Sequence, residues 1–224
     1  MSQLRYPIFF RKNETFSGEL TLTREEQTHL KSLRLNDKEK ILEFRNGQGS
    51  SAFFRFLENN QKGQKIEEIS HNVEEPNISI AVAYAKSHAL DLILQKGTEI
   101  GVSEFIFVEF HHSERKELNP VRAEKIFLQA CSQSRRHSIP TLKTYSSLKS
   151  LIKSEKNLLY LHPYSKTKFN KPTEQIIPII GPEAGFSDSE LSLLEENQVS
   201  GFTLGNNILR IETAFLSVAT ILNL

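Results

Sequence analysis

Hydrophobic and polar positions change rhythm once along this chain of 224 residues. Up to Ile69 apolar residues tend to alternate with polar ones. From Ile78 onward they come in short continuous runs separated by helical stripes. Residues 16–22 (FSGELTL) alternate as a half-buried strand does. Thr23-Arg24-Glu25-Glu26 has the form of a capping box, in which the Thr oxygen meets the Glu26 N–H and the Glu reaches back, so a helix is predicted to about Leu33. Residues 41–44 and 51–56 read as strands flanking Asn46-Gly47-Gln48-Gly49, and Asn-Gly supplies the positive φ values of a tight hairpin. A last strand is predicted near residues 65–69. Roughly five short strands and one helix make a small barrel the expected architecture here.

The polar stretch at residues 70–77 (SHNVEEPN) is the best boundary, and the chain is divided at 1–72 and 73–224. Beyond it strand and helix alternate. Residues 78–84 (ISIAVAY) read as a strand. Leu90, Ile93, Leu94 and Gly97 then form an i, i+3, i+4, i+7 stripe that Gly101 is placed to cap, giving a helix over 88–100. A strand at 105–109 follows. Asn119-Pro120 is an N-cap with a first-turn proline, opening a helix to about Arg136. Short apolar strands are predicted at 158–161, 176–180 and 201–204, and helices at 187–197 and 210–223. This order predicts an α/β domain with a buried, largely parallel sheet.

Composition narrows the class. With 38% hydrophobic and 25% charged residues the chain is an ordinary globular protein. No apolar run approaches the roughly 18 residues of a membrane span, and no signal core opens the sequence, so a cytoplasmic protein without membrane contact is expected. A single cysteine, Cys131, excludes an internal disulfide and a multi-cysteine zinc site. His111-His112 lacks companion ligands at metal spacing, and no metal is expected. The net charge is only +1, yet residues 135–171 carry nine Lys or Arg against one acid, and residues 174–196 carry six acids and no Lys or Arg. That asymmetry fits either one face built for a polyanion or two solvated faces without a partner.

In an open α/β sheet, ligands bind at the loops leaving the carboxyl ends of strands. Three such loops stand out: Leu161-His162-Pro163, residues 181–186 (GPEAGF) and residues 204–210 (LGNNILR). Gly181 and Gly185 allow close backbone approach to a ligand or positive φ. Ser187 and Glu190 read as a capping box, which makes Ser187 a cap rather than a nucleophile. No nucleophile elbow, P-loop or G-x-G-x-x-G spacing is present. Arg210 at a helix start is mildly disfavoured by the helix dipole; it either pairs with Glu212 or Glu183 or serves a ligand. Arg135 and Arg136 close their helix where cations are favoured, and a phosphate or base contact there is the alternative.

Taken together, the strings at residues 29–34 (HLKSLR), 46–49 (NGQG), 95–102 (QKGTEIGV), 130–136 (ACSQSRR) with Pro140, 161–163 (LHP), 180–187 (IGPEAGFS) and 204–214 (LGNNILRIETA) resemble the bacterial ribosomal small-subunit RNA uridine-N3 methyltransferases, the RsmE family of the SPOUT class. The resemblance implies a PUA-like β-barrel that binds RNA at 1–72. It also implies a methyltransferase domain at 73–224 with a trefoil knot, a homodimer, and S-adenosylmethionine folded into the three loops. Carried over, Leu161, His162, Gly181, Pro182, Glu183, Gly185, Leu204, Gly205, Asn206, Ile208, Leu209 and Arg210 would hold that cofactor. Arg136, Arg210 and Glu183 would serve catalysis, and Arg34, Arg115, Arg135 and Arg136 would hold RNA. The implied substrate is a uridine of 16S ribosomal RNA, free or in the assembled small subunit. The alternative is a non-catalytic RNA-binding or assembly protein that keeps the fold. The chain departs from the family pattern at Ser132, Arg135, Ala184, Asn207 and Ile211, where Glu, Gly, Gly, Arg and Thr are usual.

Overall fold

The computed structural model describes residues 6–32, 39–57, 61–71, 77–113 and 118–224. The expected RNA contacts Arg34 and Arg115, and the expected boundary at residue 72, lie outside the described residues. The chain forms two compact units, residues 1–74 with 131–139, and residues 75–130 with 140–224.

The first unit is built on a five-stranded sheet in the order β1 (Ile8–Phe10), β3 (Glu39–Arg45), β4 (Ser50–Leu57), β5 (Lys62–Ser70), β2 (Glu19–Thr21). β1 runs parallel to β3 and the remaining pairs are antiparallel. The 3–4 turn is the expected one: Asn46 Oδ1 accepts from the N–H groups of Gln48 and Ser50 at 2.8 and 3.0 Å. Leu42, Phe44, Ala52, Phe54 and Phe56 project to one face by the period-2 rule and bury almost completely with Phe9, Phe16, Leu20 and Leu22. Opposite Phe53 and Phe54 the register skips Ile66, a bulge in β5. Glu43, Arg45 and Ser51, which alternation would send to solvent, are buried as well. Residues 131–139 belong to this unit, and they explain it. Arg45 Nη1 donates to the carbonyls of Arg135 and Arg136 (2.5 and 2.7 Å), and Arg45 Nε donates to Glu43 (2.6 Å).

Helix α1 (Arg24–Ser32) opens with the predicted capping box. It is clamped by Arg11, whose Nε and Nη2 each donate to one Glu26 oxygen at 2.9 Å while its guanidinium lies 5.3 Å from the centre of the Phe44 ring. Burial by itself would raise the Glu26 pKa, but the hydrogen bonds from Arg11 and the Thr23 backbone N–H outweigh it and hold the carboxyl below its usual range.

The second unit carries a six-stranded, wholly parallel sheet in the order β11 (Ser200–Phe202), β9 (Leu158–Leu161), β10 (Ile177–Ile180), β6 (Ser79–Ala83), β7 (Glu104–Val108), β8 (Thr141–Tyr145). The order runs outward from β6 to β8, returns to β9, inserts β10 between β9 and β6, and ends outside β9. Helices α2 (Ser87–Ile100), α3 (Pro120–Ser134), α4 (Leu148–Ser154), α5 (Asp188–Glu196) and α6 (Ile211–Asn223) join the strands or end the chain. The predicted caps are present: Gly101 at φ 116° ends α2, and Asn119 Oδ1 accepts from the Arg122 N–H at 3.1 Å. β8 and α4 escaped prediction because β8 is an edge strand without a buried residue and α4 is short. β1 escaped for its brevity. Among the described residues, no helix is long and apolar enough to cross a membrane.

Helix α2 packs on α6. Gly97 makes room there: a Cβ on it would lie 2.7 Å from the Phe215 ring and 2.8 Å from the Phe105 ring, and both rings are fully buried. Gly97→Ala gains up to about 1 kcal/mol of helix propensity but must displace two core rings, so a net loss of roughly 1–2 kcal/mol is expected in urea unfolding. A second expectation concerns acid. A carboxyl held below its usual range stabilises the fold above the unfolded-state pKa, and that contribution is lost as pH falls through the folded value. Glu26→Gln should therefore be less stable than wild type near neutral pH and converge with it in acid, as melting temperatures measured across pH would show.

Candidate active site

Because all six strands are parallel, their carboxyl ends lie along one edge of the sheet. The loops after β9, β10 and β11, which leave neighbouring strands, enclose a cavity of about 380 Å³. That lies in the size range of small-molecule sites. Leu161, His162, Gly181, Pro182, Glu183, Gly185, Leu204, Ile208 and Leu209 line it, so the three loops singled out in the sequence do come together. Gly205, Asn206 and Arg210 belong to the same third loop but are not among its lining residues. Tyr164, Phe186, Thr203, Ile211 and Ala214 line it and were missed. Tyr164 and Phe186 stand next to or inside the quoted strings and were legible by proximity. Ile211 and Ala214 likewise lie inside the quoted string 204–214, and Thr203 directly precedes it.

The loops are tied to one another. Thr203, buried at the end of β11, donates its hydroxyl to the Gly205 carbonyl (2.9 Å) and accepts from the Gly205 N–H (3.3 Å). The same oxygen lies 3.4 Å from the Pro163 carbonyl in the first loop. The His162 N–H donates to the Phe202 carbonyl at 2.8 Å. Gly181 has no room for a side chain, since a Cβ would lie 2.8 Å from the Phe186 ring. That ring in turn meets Tyr160 and Phe110 edge-on at 5.8 and 5.5 Å. Gly185 holds φ 81°, while Ala184 is not among the positive-φ residues, so its Cβ fits where the family pattern has Gly.

The capping box at Ser187 is present, and its Glu190 does more than cap. This buried carboxylate accepts from the Ser187 N–H and, through its other oxygen, from the His111 N–H, both at 2.8 Å. Next to it, His112 Nδ1 donates to the Gly185 carbonyl at 3.1 Å. The His pair thus braces the second loop from the end of β7. Among the described residues, no group of three His, Cys, Asp or Glu is arranged to hold a metal.

Of the charged candidates, Glu183 is exposed on the cavity wall. Arg210 is the N-cap residue of α6, exposed, with no side-chain hydrogen bond to the helix; of the two alternatives left open by the sequence, the pairing with Glu212 or Glu183 does not form. Arg135 and Arg136 belong to the first unit. Arg135 sits at φ 62°, a left-handed position after α3 that accounts for glycine in the family pattern, and its guanidinium is 3.8 Å from Glu43. Arg136 is buried. Cys131 is buried too.

The cavity lining is largely apolar, with Ile208 and Leu209 exposed to solvent and Glu183 as its acidic residue. Comparison with known proteins gives the class: a family model described as an RNA methyltransferase domain matches residues 73–223, which include the whole parallel sheet and all three loops. The ribosomal RNA small subunit methyltransferase E of Mesomycoplasma hyopneumoniae is 32% identical over 219 residues, covering 93% of this chain and 95% of that one. A methyltransferase of Legionella pneumophila, solved with bound S-adenosylmethionine, superposes with TM-score 0.82 at 25% identity over 98% of this chain and 97% of its own. The fold is shared as well by the ribosomal RNA small subunit methyltransferase E of Neisseria gonorrhoeae (TM-score 0.78, 24% identity, 96% and 95% covered). The chain belongs to the RNA methyltransferases, and within them to the ribosomal RNA small subunit methyltransferase E family.

The brace gives a direct test. His112 is exposed, so removing it leaves the core untouched. His112→Ala should speed hydrogen exchange at the amides of residues 183–187. His112→Asn, whose side-chain N–H falls near the position of Nδ1, should restore protection, and His112→Gln should not.

Proposed function

We propose that this chain transfers a methyl group from S-adenosylmethionine to N3 of a uridine in small-subunit ribosomal RNA. The observation that carries this reading is the cavity formed by three backbone loops at adjacent parallel strand ends, in a chain of this family. The residues present fit the cofactor. Leu161, Leu209 and Pro182 offer apolar walls for its base, the main chain of residues 181–185 and 204–209 offers hydrogen-bonding groups, and Glu183 is an acceptor at the wall. Gly205, Asn206, Ile208 and Arg210 complete the third loop around it. When bound, S-adenosylmethionine supplies an electrophilic methyl group on sulfonium.

What the protein must add is placement and nucleophile activation. Uracil N3 bears a weakly acidic proton, and the anion left by its loss spreads onto the flanking carbonyl oxygens. Glu183 takes that proton, and Arg210 and Arg136 stabilise the oxygens. Arg210 is suited to this by its lack of an acidic partner among the described residues. Because the pairing edge of the base reacts, the target uridine is unpaired or flipped out. The remaining parts of the reading follow the family resemblance. Residues 1–72 act as a PUA-like RNA-binding barrel with Arg34, Arg115 and Arg135 as further RNA contacts. Residues 73–224 form a knotted catalytic domain. The enzyme works as a cytoplasmic homodimer on the RNA or on the assembled subunit.

The test is methyl transfer from labelled S-adenosylmethionine to small subunits lacking the mark and, separately, to their extracted RNA. Label in a single uridine blocked at N3 is expected. RNA binding without any label would favour the non-catalytic alternative. Arg210→Ala should lower kcat by roughly 100-fold, with a smaller change in KM for RNA. Full turnover in that variant would remove Arg210 from the mechanism.

A further inference from the structure

The basic stretch at residues 135–171 does not act as one surface. Lys143 lies between Glu104 and Glu155, at 2.9 and 3.2 Å, and is neutralised there. Arg135 and Arg136 are tied into the first unit. Lys149, Lys153 and Lys156, on and just after α4, are likewise exposed without an acidic partner among the described residues; the segment after β9 is set apart by its place beside the cavity. Lys166, Lys168 and Lys171 are all exposed, and none has an acidic partner among the described residues.

These lysines do not sit on a loose strand of chain. Phe169 is buried against Phe202, with ring centres 6.3 Å apart. The Thr203 N–H donates to the Thr167 carbonyl and the Phe169 N–H donates to the Thr203 carbonyl, both at 2.8 Å, which makes a parallel bridge between Lys168 and Thr203. Along this extended piece side chains alternate. With Phe169 turned inward, Lys168 faces outward, and Lys166 is exposed on the bend just before it. Thr203 is also a wall of the cavity, so the segment is fastened to the site itself. At the segment's start stands Tyr164, which lines the cavity yet is 77% exposed. Its ring meets that of His162 in a T-shaped arrangement, 5.5 Å between centres. A large aromatic ring left in water at the mouth of a site, followed by cations without partners on a fixed segment, is the combination that holds a single-stranded nucleic acid. The ring stacks on a base and the ammonium groups meet phosphates.

We propose that residues 164–168 form an RNA-docking segment at the cavity mouth, with Tyr164 stacking on an unpaired base and Lys166 and Lys168 contacting the phosphates beside it. This deepens the methyltransferase reading and rests on it for the identity of the RNA. The contact itself is read by binding, without turnover.

The experiment measures affinity of the full chain for extracted small-subunit ribosomal RNA across a range of salt concentrations. Lys166→Gln/Lys168→Gln should weaken binding roughly five- to ten-fold near 0.1 M salt and reduce the slope of log K against log salt by roughly 1.5. Lys149→Gln/Lys153→Gln, with the same change of charge on α4, is the control and should change neither. Tyr164→Ala should weaken binding roughly five-fold or more, and Tyr164→Phe, which keeps the ring, should recover most of the loss. Binding of S-adenosylmethionine, measured by calorimetry, should stay within about two-fold in the lysine variant. Equal losses in the two lysine pairs, or no loss at Lys166 and Lys168, would overturn the proposal even if wild type methylates RNA. Conversely, wild type that fails to methylate while the lysine and tyrosine variants behave as stated would sink the methyltransferase reading and leave this segment as an RNA contact.

Discussion

The backbone ladder that sets β10 between β9 and β6 governs the geometry of the site. Ile177 stands opposite Leu158 and Ile180 opposite Leu161, while Ile179 and Ile180 pair with Ala81 and Val82 on the other side. A shift of one residue would turn buried side chains to the wrong face, so the register is strongly fixed. Once it is fixed, the ends of β9 and β10 are level, and β11, paired from Ser200 opposite Leu159, brings its own end beside them. Three loops far apart in sequence must then leave the sheet together.

Convergence alone would give a floppy rim. Thr203 joins the third loop to the first, Phe186 packs under Gly181, and Glu190 with His112 joins the second loop to the end of β7. Each is a short-range contact between groups that the ladder has already brought near, so little further chain entropy is lost in making it. The effect is to fix main-chain donors and acceptors before a ligand arrives, which lowers the ordering cost of binding. Glu190 shows how one residue serves two levels: it caps a helix locally and braces a loop at a distance of 79 positions in sequence.

In the first unit the corresponding device is Arg45. A guanidinium buried on the outer face of a half-barrel sheet is tolerated because its donors meet Glu43 and two carbonyls at the end of α3. The left-handed turn at Arg135 presents those carbonyls. A position where the family pattern has glycine thus carries a side chain here, and that side chain approaches the same carboxylate.

Local sequence determined what local forces decide. The capping boxes at Thr23 and Ser187, the cap at Gly101, the Asn46-Gly47 hairpin and the apolar strands at β9 and β10 depend on neighbours a few residues away, and each was legible. So were the three loops, because they follow apolar strands directly. Tertiary structure alone decided the strand order, which sets which loops meet, and the edge strand β8, whose pattern is too polar to read. It also decided the recruitment of residues 131–139 to the first unit and the burial of Glu43 and Arg45 beneath them. His111 and His112 looked like a poor metal pair and are instead a brace, since their partners Glu190 and Gly185 are more than 70 residues away. Sequence records which groups are available; which of them come within hydrogen-bonding distance is settled only when long-range backbone pairing brings the strands into register.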